Sequence, residues 1–118
     1  MGYRPRGHVK QGDIVWVELP FADQVGSKWR PALVVSQDAY NDAHSDVLVC
    51  AVTSNTAASP YKVALSSFAA GRLPRKSMVR ADKVLPVEKR LLGDRLARVE
   101  ATDFDAVVAC VTSLIKRS

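Results

Sequence analysis

The chain has 118 residues, with 17 Lys or Arg against 12 Asp or Glu, and therefore a formal net charge of +5. This length predicts one domain with its own hydrophobic core. Apolar runs are too short to span a membrane, and the start lacks the apolar stretch of a signal peptide. We therefore expect a soluble, cytoplasmic protein rather than a membrane protein.

The first half of the chain alternates apolar runs with polar links. Residues 1–10 carry several cations and little to bury, so they are predicted to form a flexible basic arm before a single domain at 11–118. Apolar, β-branched runs predict four strands, at 12–20, 32–36, 47–54 and 61–66. Residues 21–31 are predicted to be a loop, and 38–46 a polar turn region.

The second half adds a charged strand and a helix. Residues 76–87 are predicted to form a fifth strand, after a surface loop at 67–76. Thr102 with Asp105 forms a capping-box pattern, and 101–118 is predicted to be a helix packed by one face. Its apolar residues are Phe104, Val107, Val108, Val111, Leu114 and Ile115. Short strands and a closing helix predict a mainly β fold of the α+β class, a small antiparallel and partly closed barrel.

The cysteines and histidines form no recognisable reactive site. Cys50 and Cys110 each lie inside an apolar run, without a CxxC pattern or a nearby histidine, and are predicted to be buried core thiols. His8 lies in the arm and His44 in the polar turn. Because no metal-ligand spacing, phosphate-binding glycine loop or nucleophile motif occurs, we expect no metal and no cofactor.

The positive charge is concentrated in one segment. Residues 72–98 contain nine cations and three acids, whereas the rest of the chain contains eight cations and nine acids. A basic face of this kind either binds a polyanion such as nucleic acid or keeps the protein soluble. Charge alone leaves both interpretations open.

Polar side chains suited to phosphate lie at the ends of the predicted strands. Arg30 begins the second strand, Thr53 and Ser54 end the third, and Arg80 and Asp82 share one face of the fifth because they are two residues apart. Guanidinium groups bind phosphate oxygens in bidentate fashion, a hydroxyl adds a donor, and a carboxylate can accept a proton. RNA carries its own nucleophile, the 2′-hydroxyl. The alternative is an ordinary Arg80–Asp82 ion pair and a threonine that only bonds a strand end.

Five segments occur in order along the chain: "VKQGDIVWVELP", "RPALVVS", a turn containing Asn41, "VLVCAVTSN" and "VRADKV". Together, from about Val9 to the final helix, they resemble the MazF/PemK family of toxin endoribonucleases. The resemblance implies an SH3-like barrel, a homodimer, and metal-independent cleavage of single-stranded RNA to a 2′,3′-cyclic phosphate and a 5′-hydroxyl. It also implies a cognate antitoxin protein that holds the toxin inactive.

Four residues match active-site positions of that family. By this resemblance Arg30 is the arginine of the RP motif, Thr53 closes the third strand, and Arg80 with Asp82 matches a catalytic pair of the PemK/Kid branch. Arginine rarely gives up a proton, so both arginines are expected to stabilise the pentacovalent phosphate. Asp82 is the candidate base, although Arg80 should lower its pKa, and the general acid is unassigned. The expected RNA contacts are Lys28, Trp29, Ser54, Arg72, Arg75, Lys76 and Lys83.

The first loop departs from the family pattern. Family members often carry a Gly-(Ser/His)-Glu-Gln run there, whereas this chain reads "ADQVGSKWRP". Either the missing acid weakens activity, or Asp23 and Gln24 replace it. Trp29 is expected either to stack on a base or to anchor the loop. The loop cations at 72–76 are expected to hold phosphates away from the catalytic residues.

Two other functions compete with the nuclease. A CcdB-like toxin binds gyrase and needs no catalytic residues, so the presence of Arg30 with Thr53 favours the nuclease. A nucleic-acid-binding barrel that is not an enzyme is permitted by the basic segment.

Overall fold

The computed structural model describes residues 9–20 and 27–118, and among them are seven β-strands, two α-helices and one 3₁₀ helix. In chain order these are β1 (Asp13–Pro20), β2 (Ser27–Val34), α1 (Asp38–Ala43), β3 (Asp46–Thr53), β4 (Lys62–Ala64), β5 (Phe68–Gly71), β6 (Met78–Glu88), the 3₁₀ helix (Lys89–Leu91), β7 (Leu92–Val99) and α2 (Ala101–Ile115). The strands form one sheet in the order β4-β6-β3-β2-β1-β7-β5, with every neighbouring pair antiparallel. The predicted antiparallel, mainly β fold with a C-terminal helix is confirmed.

Hydrophobic side chains cover both faces of this sheet, which we call the front face and the back face. The front face is defined by the buried residues Val15, Val17, Ala32, Val34, Val47 and Val49. The back face is defined by Ile14, Leu33, Cys50, Val52 and Val79, on which α2 packs with Val107. Because both faces are buried, the strands read in the sequence as continuous apolar runs. Burial raises the pKa of the Cys50 thiol to about 11, so the prediction of a buried thiol is confirmed there.

Two segments predicted to be connections contain regular structure. Strand β2 begins at Ser27, so residues 28–31 belong to the strand and not to the loop. They pair with β1, where Trp16 lies opposite Pro31. The polar turn predicted at 38–46 likewise contains α1. Proline and polar residues favour loops locally, but the partner strand provides hydrogen bonds that residue propensity does not reveal.

Two further strands lie where the sequence predicts none. Residues 68–71, predicted to belong to a surface loop, form β5, and 92–99 form β7. The β1–β7 ladder contains two register shifts, so polar and apolar residues of β7 do not alternate regularly. Gly71 ends β5 at a φ of +62°, and a Cβ there would lie 2.4 Å from the carbonyl oxygen of Leu96. Only glycine fits this close approach, although its presence favours a loop in the sequence.

The C-terminal helix is confirmed over Ala101–Ile115, but the predicted capping box is wrong. The N-cap residue is Glu100, whose side chain makes no capping hydrogen bond, and Thr102 and Asp105 lie inside the helix. The buried carboxylate of Asp103 instead accepts hydrogen bonds from two serine N–H groups of the β4–β5 link, at 2.9 and 3.2 Å. The helix start is therefore held by a tertiary contact.

Only part of the predicted apolar face of α2 is buried. Val107 is fully buried, and Phe104 and Val111 pack partly against the back face. The remaining apolar residues of this face are exposed: Val108, Leu114 and Ile115. Cys110, predicted to be buried, is half-buried, with its Sγ 3.5 Å from the carbonyl oxygen of Pro60.

The predicted basic arm lies outside the described residues as far as His8. Val9 is buried among the front-face residues, and the Lys10 N–H donates to the Asp13 carboxylate at 3.1 Å. These two residues therefore belong to the packed domain and not to an arm. In the described part of the chain, α2 and the shorter helices lack the length and apolar character needed to cross a membrane.

Candidate active site

The sheet register places two of the predicted site residues on one face. Arg30 lies opposite the front-face residue Val17, and Ala32, two residues further on, lies opposite Ala51. Thr53 follows two residues beyond Ala51 on β3. Side chains two apart on a strand share a face, and so do cross-strand partners, so Arg30 and Thr53 both belong to the front face. The β2–β3 ladder ends at the Ala32–Ala51 pair, and Arg30 and Thr53 each lie two residues beyond it on adjacent strands.

The same face continues onto β6. Met78 lies opposite Thr53, so Arg80, two residues after Met78, also belongs to the front face. Beyond this point the β3–β6 ladder shifts register, and residues 80–83 of β6 together oppose one residue of β3. Bulges of this kind redirect side chains near strand ends. Arg80 and Asp82 therefore project from an irregular stretch of strand next to Thr53.

Arg80 and Asp82 form a fork-shaped ion pair. Arg80 Nε donates to Asp82 Oδ1 at 3.1 Å, and Arg80 Nη2 donates to Asp82 Oδ2 at 2.8 Å. The two side chains are 35% and 30% exposed. Hydrogen bonding to Arg80 lowers the pKa of Asp82 below its usual value, and the same bond raises the pKa of Arg80. The prediction of a shared face and a low aspartate pKa is confirmed, and Asp82 is a weak base at neutral pH.

Thr53 offers a hydroxyl at the end of β3. The half-buried side chain accepts a hydrogen bond through Oγ1 from the Asn55 N–H at 3.0 Å, and the exposed Ser54 follows it. A hydroxyl that accepts from the backbone keeps its own proton for donation. The strand end can therefore donate to an anion lying over the front face.

Trp29 lies on the other side of β2 from Arg30. Its cross-strand partner is Glu18, which places both on the back-face side of the hairpin. The indole is 48% exposed and packs against Gly93 of β7, where a Cβ would lie 3.1 Å from Trp29 Cζ3 and 2.8 Å from Trp16 Cβ. Because Gly93 has no side chain, both indoles fit beside it. Trp29 is thus a partly packed strand residue, and the register does not place it with Arg30.

The cations predicted to contact RNA fall into two groups. Lys28 and Lys83 are exposed on the strands that carry Arg30 and Arg80. The other three are exposed in the link from β5 to β6, which we call the basic loop: Arg72, Arg75 and Lys76. This loop enters β6 at the residue opposite Thr53. The end of the basic loop therefore leads into the strand next to Thr53, whereas Arg72 directly follows β5, which pairs with β7. That these cations lie away from the catalytic residues stays a prediction.

Three further residues bear on the site. Asp23 and Gln24, the predicted replacements for the missing loop acid, lie outside the described residues. Lys62 of β4 lies opposite Arg80, yet no local sequence pattern marks it. It becomes a neighbour of the site only because β4 pairs with the first residues of β6.

The chain is similar in sequence to a known protein family. A family model described as the PemK-like, MazF-like toxin of type II toxin–antitoxin systems matches residues 10–115. The chain belongs to this family. Endoribonuclease MazF6 of Mycobacterium tuberculosis is 35% identical to it over 98 residues, which cover 80% of this chain and 85% of that protein. The resemblance to MazF/PemK toxins stated from the sequence is confirmed.

Solved structures of MazF proteins share the fold. A chain of the MazE–MazF crystal structure (Form III) from Deinococcus radiodurans matches with a TM-score of 0.76 at 30% identity, over 93% of this chain and 98% of that one. A mycobacterial endoribonuclease in complex with its cognate antitoxin matches with a TM-score of 0.76 at 21% identity, over 93% of this chain and 99% of that one. At 21% identity, the second match shows only that the two chains share a fold.

Proposed function

We propose that this MazF/PemK-family toxin is a metal-independent endoribonuclease that cuts single-stranded RNA at selected sequences. The observation that carries the proposal is the presence of Arg30, Thr53 and Arg80 on the front face of the three neighbouring strands β2, β3 and β6. Two guanidinium groups and a hydroxyl suit a phosphodiester. The nucleophile is the 2′-hydroxyl of the RNA itself. The endoribonuclease name of the mycobacterial relative supports the same activity.

In this proposal the 2′-oxygen forms a bond to the adjacent phosphorus, and the bond from phosphorus to the 5′-oxygen breaks. Asp82 accepts the 2′ proton as a weak base, and a general acid that we leave unassigned returns a proton to the 5′-oxygen. Arg30 and Arg80 stabilise the additional charge of the pentacovalent phosphate, to which Thr53 donates a hydrogen bond. The products are a 2′,3′-cyclic phosphate and a 5′-hydroxyl.

Exposed cations extend the proposed RNA path beyond the reacting phosphate. The basic loop, Lys28 and Lys83 hold flanking phosphates, which positions the strand without reading its sequence. Ser54 adds a hydroxyl next to Thr53. Trp29 stacks on a base only where the RNA crosses the edge of the β1–β2 hairpin, because its ring lies on the side opposite Arg30.

We also propose that the protein acts in the cytoplasm as a homodimer and is inhibited by a cognate antitoxin. Among the described residues, positions 84–88 of β6 pair with β3 on one side and with no strand on the other. Val84 and Leu85 on this edge are 40% and 37% exposed. An unpaired strand edge with exposed apolar side chains suits association with a second copy. A sedimentation value for the 12.9 kDa monomer at micromolar concentration would contradict the dimer.

Incubation of the purified protein with a mixed RNA in EDTA, followed by mapping of the ends, tests the activity. We expect cleavage to continue and to yield cyclic phosphate and 5′-hydroxyl ends. Products with 5′-phosphates, or full inhibition by the chelator, would show a different mechanism. RNA binding without cleavage would favour a binding module, and the absence of both would favour a CcdB-like mode of action.

A further inference from the structure

The loop that follows Thr53 is closed by hydrogen bonds that converge on Lys62. Thr53 Oγ1 accepts from the Asn55 N–H, and Asn55 Oδ1 accepts from the Ala57 N–H, each at 3.0 Å. Lys62 Nζ donates to the carbonyl oxygens of both Asn55 and Ala57, again at 3.0 Å. One side chain thus holds two successive turns of the loop.

Lys62 also lies beside the other half of the candidate site. It is the cross-strand partner of Arg80, so the two side chains lie on the same side of the β4–β6 ladder. The Ala81 N–H donates to the Tyr61 carbonyl at 2.9 Å, which holds β4 against β6 at this point. Lys62 therefore connects the strand of Arg80 with the loop that follows Thr53.

The hydrogen bonds of Lys62 leave its charge unneutralised. Both partners are neutral carbonyl groups, and the ion pairs found within 9–20 and 27–118 do not include this lysine. An ammonium group has three N–H donors, of which the two carbonyls use two. A solvated, mobile lysine would lose side-chain entropy in this geometry, so the loop is held at a conformational cost.

We propose that Lys62 is a positioning residue, which keeps the loop at 54–57 closed so that the Thr53 hydroxyl donates a hydrogen bond to the RNA phosphate. The Asn55 N–H occupies one acceptor site of this hydroxyl only while the loop is closed, and that bond leaves the O–H proton available to an anion. Once the loop opens, the bond from Asn55 is lost and the hydroxyl turns among its rotamers. This inference rests on the proposed RNA cleavage and adds one residue to it.

The test replaces Lys62 by Met, which keeps an unbranched apolar side chain and removes the ammonium donors. We expect kcat to fall roughly 10- to 100-fold, the cost of a slightly misplaced catalytic group, with KM nearly unchanged. Amide hydrogen exchange at Asn55 and Ala57, measured without RNA, should become faster. Lys62→Arg should restore most of both properties. The matched control is Lys116→Met, which removes an exposed cation after α2 and should change neither.

The exchange measurement tests the role of Lys62 independently of RNA cleavage. Unchanged exchange at Asn55 and Ala57 in folded Lys62→Met, or faster exchange with wild-type kcat, would overturn it. Wild-type protein that does not cleave RNA would refute the proposed function, while faster exchange in the variant would still support the loop-holding role. If Lys62→Met does not fold, Lys62→Gln is the substitute, because it is too short to reach both carbonyls and must show the same two effects.

Discussion

Two aspartate–arginine pairs in this molecule have the same chemistry and different surroundings. Asp13 is 1% exposed, and its carboxylate accepts from Arg98 Nε at 2.9 Å and from the Lys10 N–H at 3.1 Å. Asp82 has a side chain 30% exposed and is bound by Arg80, two residues away. The first pair joins β1 to β7 across 85 positions of sequence, whereas the second lies within one strand.

Because the Asp13 carboxylate is buried and the Asp82 carboxylate is partly exposed, we expect the first to matter for stability and the second for function. A buried carboxylate has lost its water, so removal of its charge leaves its donors without an acceptor, and removal of its partner leaves the carboxylate without a donor. Either change destabilises the fold. A partly exposed pair contributes little to folding, because water and salt weaken it. The arginine of such a pair can exchange its carboxylate for a phosphate at small cost. We therefore assign the Asp13 pair to folding and the Asp82 pair to ligand chemistry.

The largest expected effect on stability comes from Asp13→Asn. An amide has one oxygen and one NH2 group, so either Arg98 or the Lys10 N–H loses its acceptor. Because the Arg98 side chain is 38% exposed and can bind water instead, we expect a loss of about 1–3 kcal/mol in the free energy of unfolding, measured with urea. Cleavage per folded molecule should be unchanged at low temperature. A loss of less than about 1 kcal/mol would show that the buried carboxylate of Asp13 contributes little to folding.

The largest expected effect on rate comes from Arg30→Ala on the front face. Loss of a group that stabilises charge in the transition state should lower the cleavage rate by about 10²–10³, measured with a defined RNA. The thermal unfolding curve should stay close to that of the wild type, in contrast to Asp13→Asn. A folded Arg30→Ala protein that cuts at the wild-type rate would remove this arginine from the site.

Asp82→Asn makes the same chemical change as Asp13→Asn, but in the exposed ion pair. We expect cleavage to slow about tenfold, since a base with a low pKa contributes less than a well-matched one, and stability to change by less than about 1 kcal/mol. RNA binding should stay equal or become tighter, because a negative charge is removed. If Asp82→Asn cleaves RNA at the wild-type rate, Asp82 is excluded as the base.

The difference in stability between Asp82→Asn and the wild type should depend on pH. Because Arg80 lowers the pKa of Asp82 in the folded state, the stabilisation from this pair is present above the unfolded pKa and is lost as the pH falls through the lowered folded pKa. Unfolding curves of Asp82→Asn and wild type should therefore keep a constant separation at neutral pH and converge only below about pH 4. Convergence between pH 5 and 8 would contradict the lowered pKa.

The smallest expected effect concerns the basic loop. Changing Arg72, Arg75 and Lys76 together to Gln should weaken RNA binding and reduce its salt dependence by up to about 2 units of slope, at about 0.7 per single-strand phosphate contact. The cut site should not change, because phosphate contacts carry no sequence information. An unchanged salt slope would show that the RNA path avoids this loop.

Local sequence patterns were sufficient to predict the strands and the helix whose own residues show a clear periodicity or an apolar, β-branched run. Strands β1 and β3 are β-branched runs, and α2 has helical spacing of apolar residues. The shared face of Arg80 and Asp82 and the lowered aspartate pKa also follow from positions two apart on a strand. Strands β5 and β7 and the first half of β2 were not predicted, because their partner strands lie far away in the chain and outweigh the local preference for a loop.

The sequence by itself thus determined the family, the antiparallel class of the fold, the C-terminal helix and the candidate residues Arg30 and Thr53. Only the tertiary structure decided which of these residues share a face, since that depends on the register between strands distant in sequence. It also placed Lys62 opposite Arg80 and distinguished the buried Asp13 from the exposed Asp82. Burial and register are properties of the packed chain, so no short stretch of residues contains them.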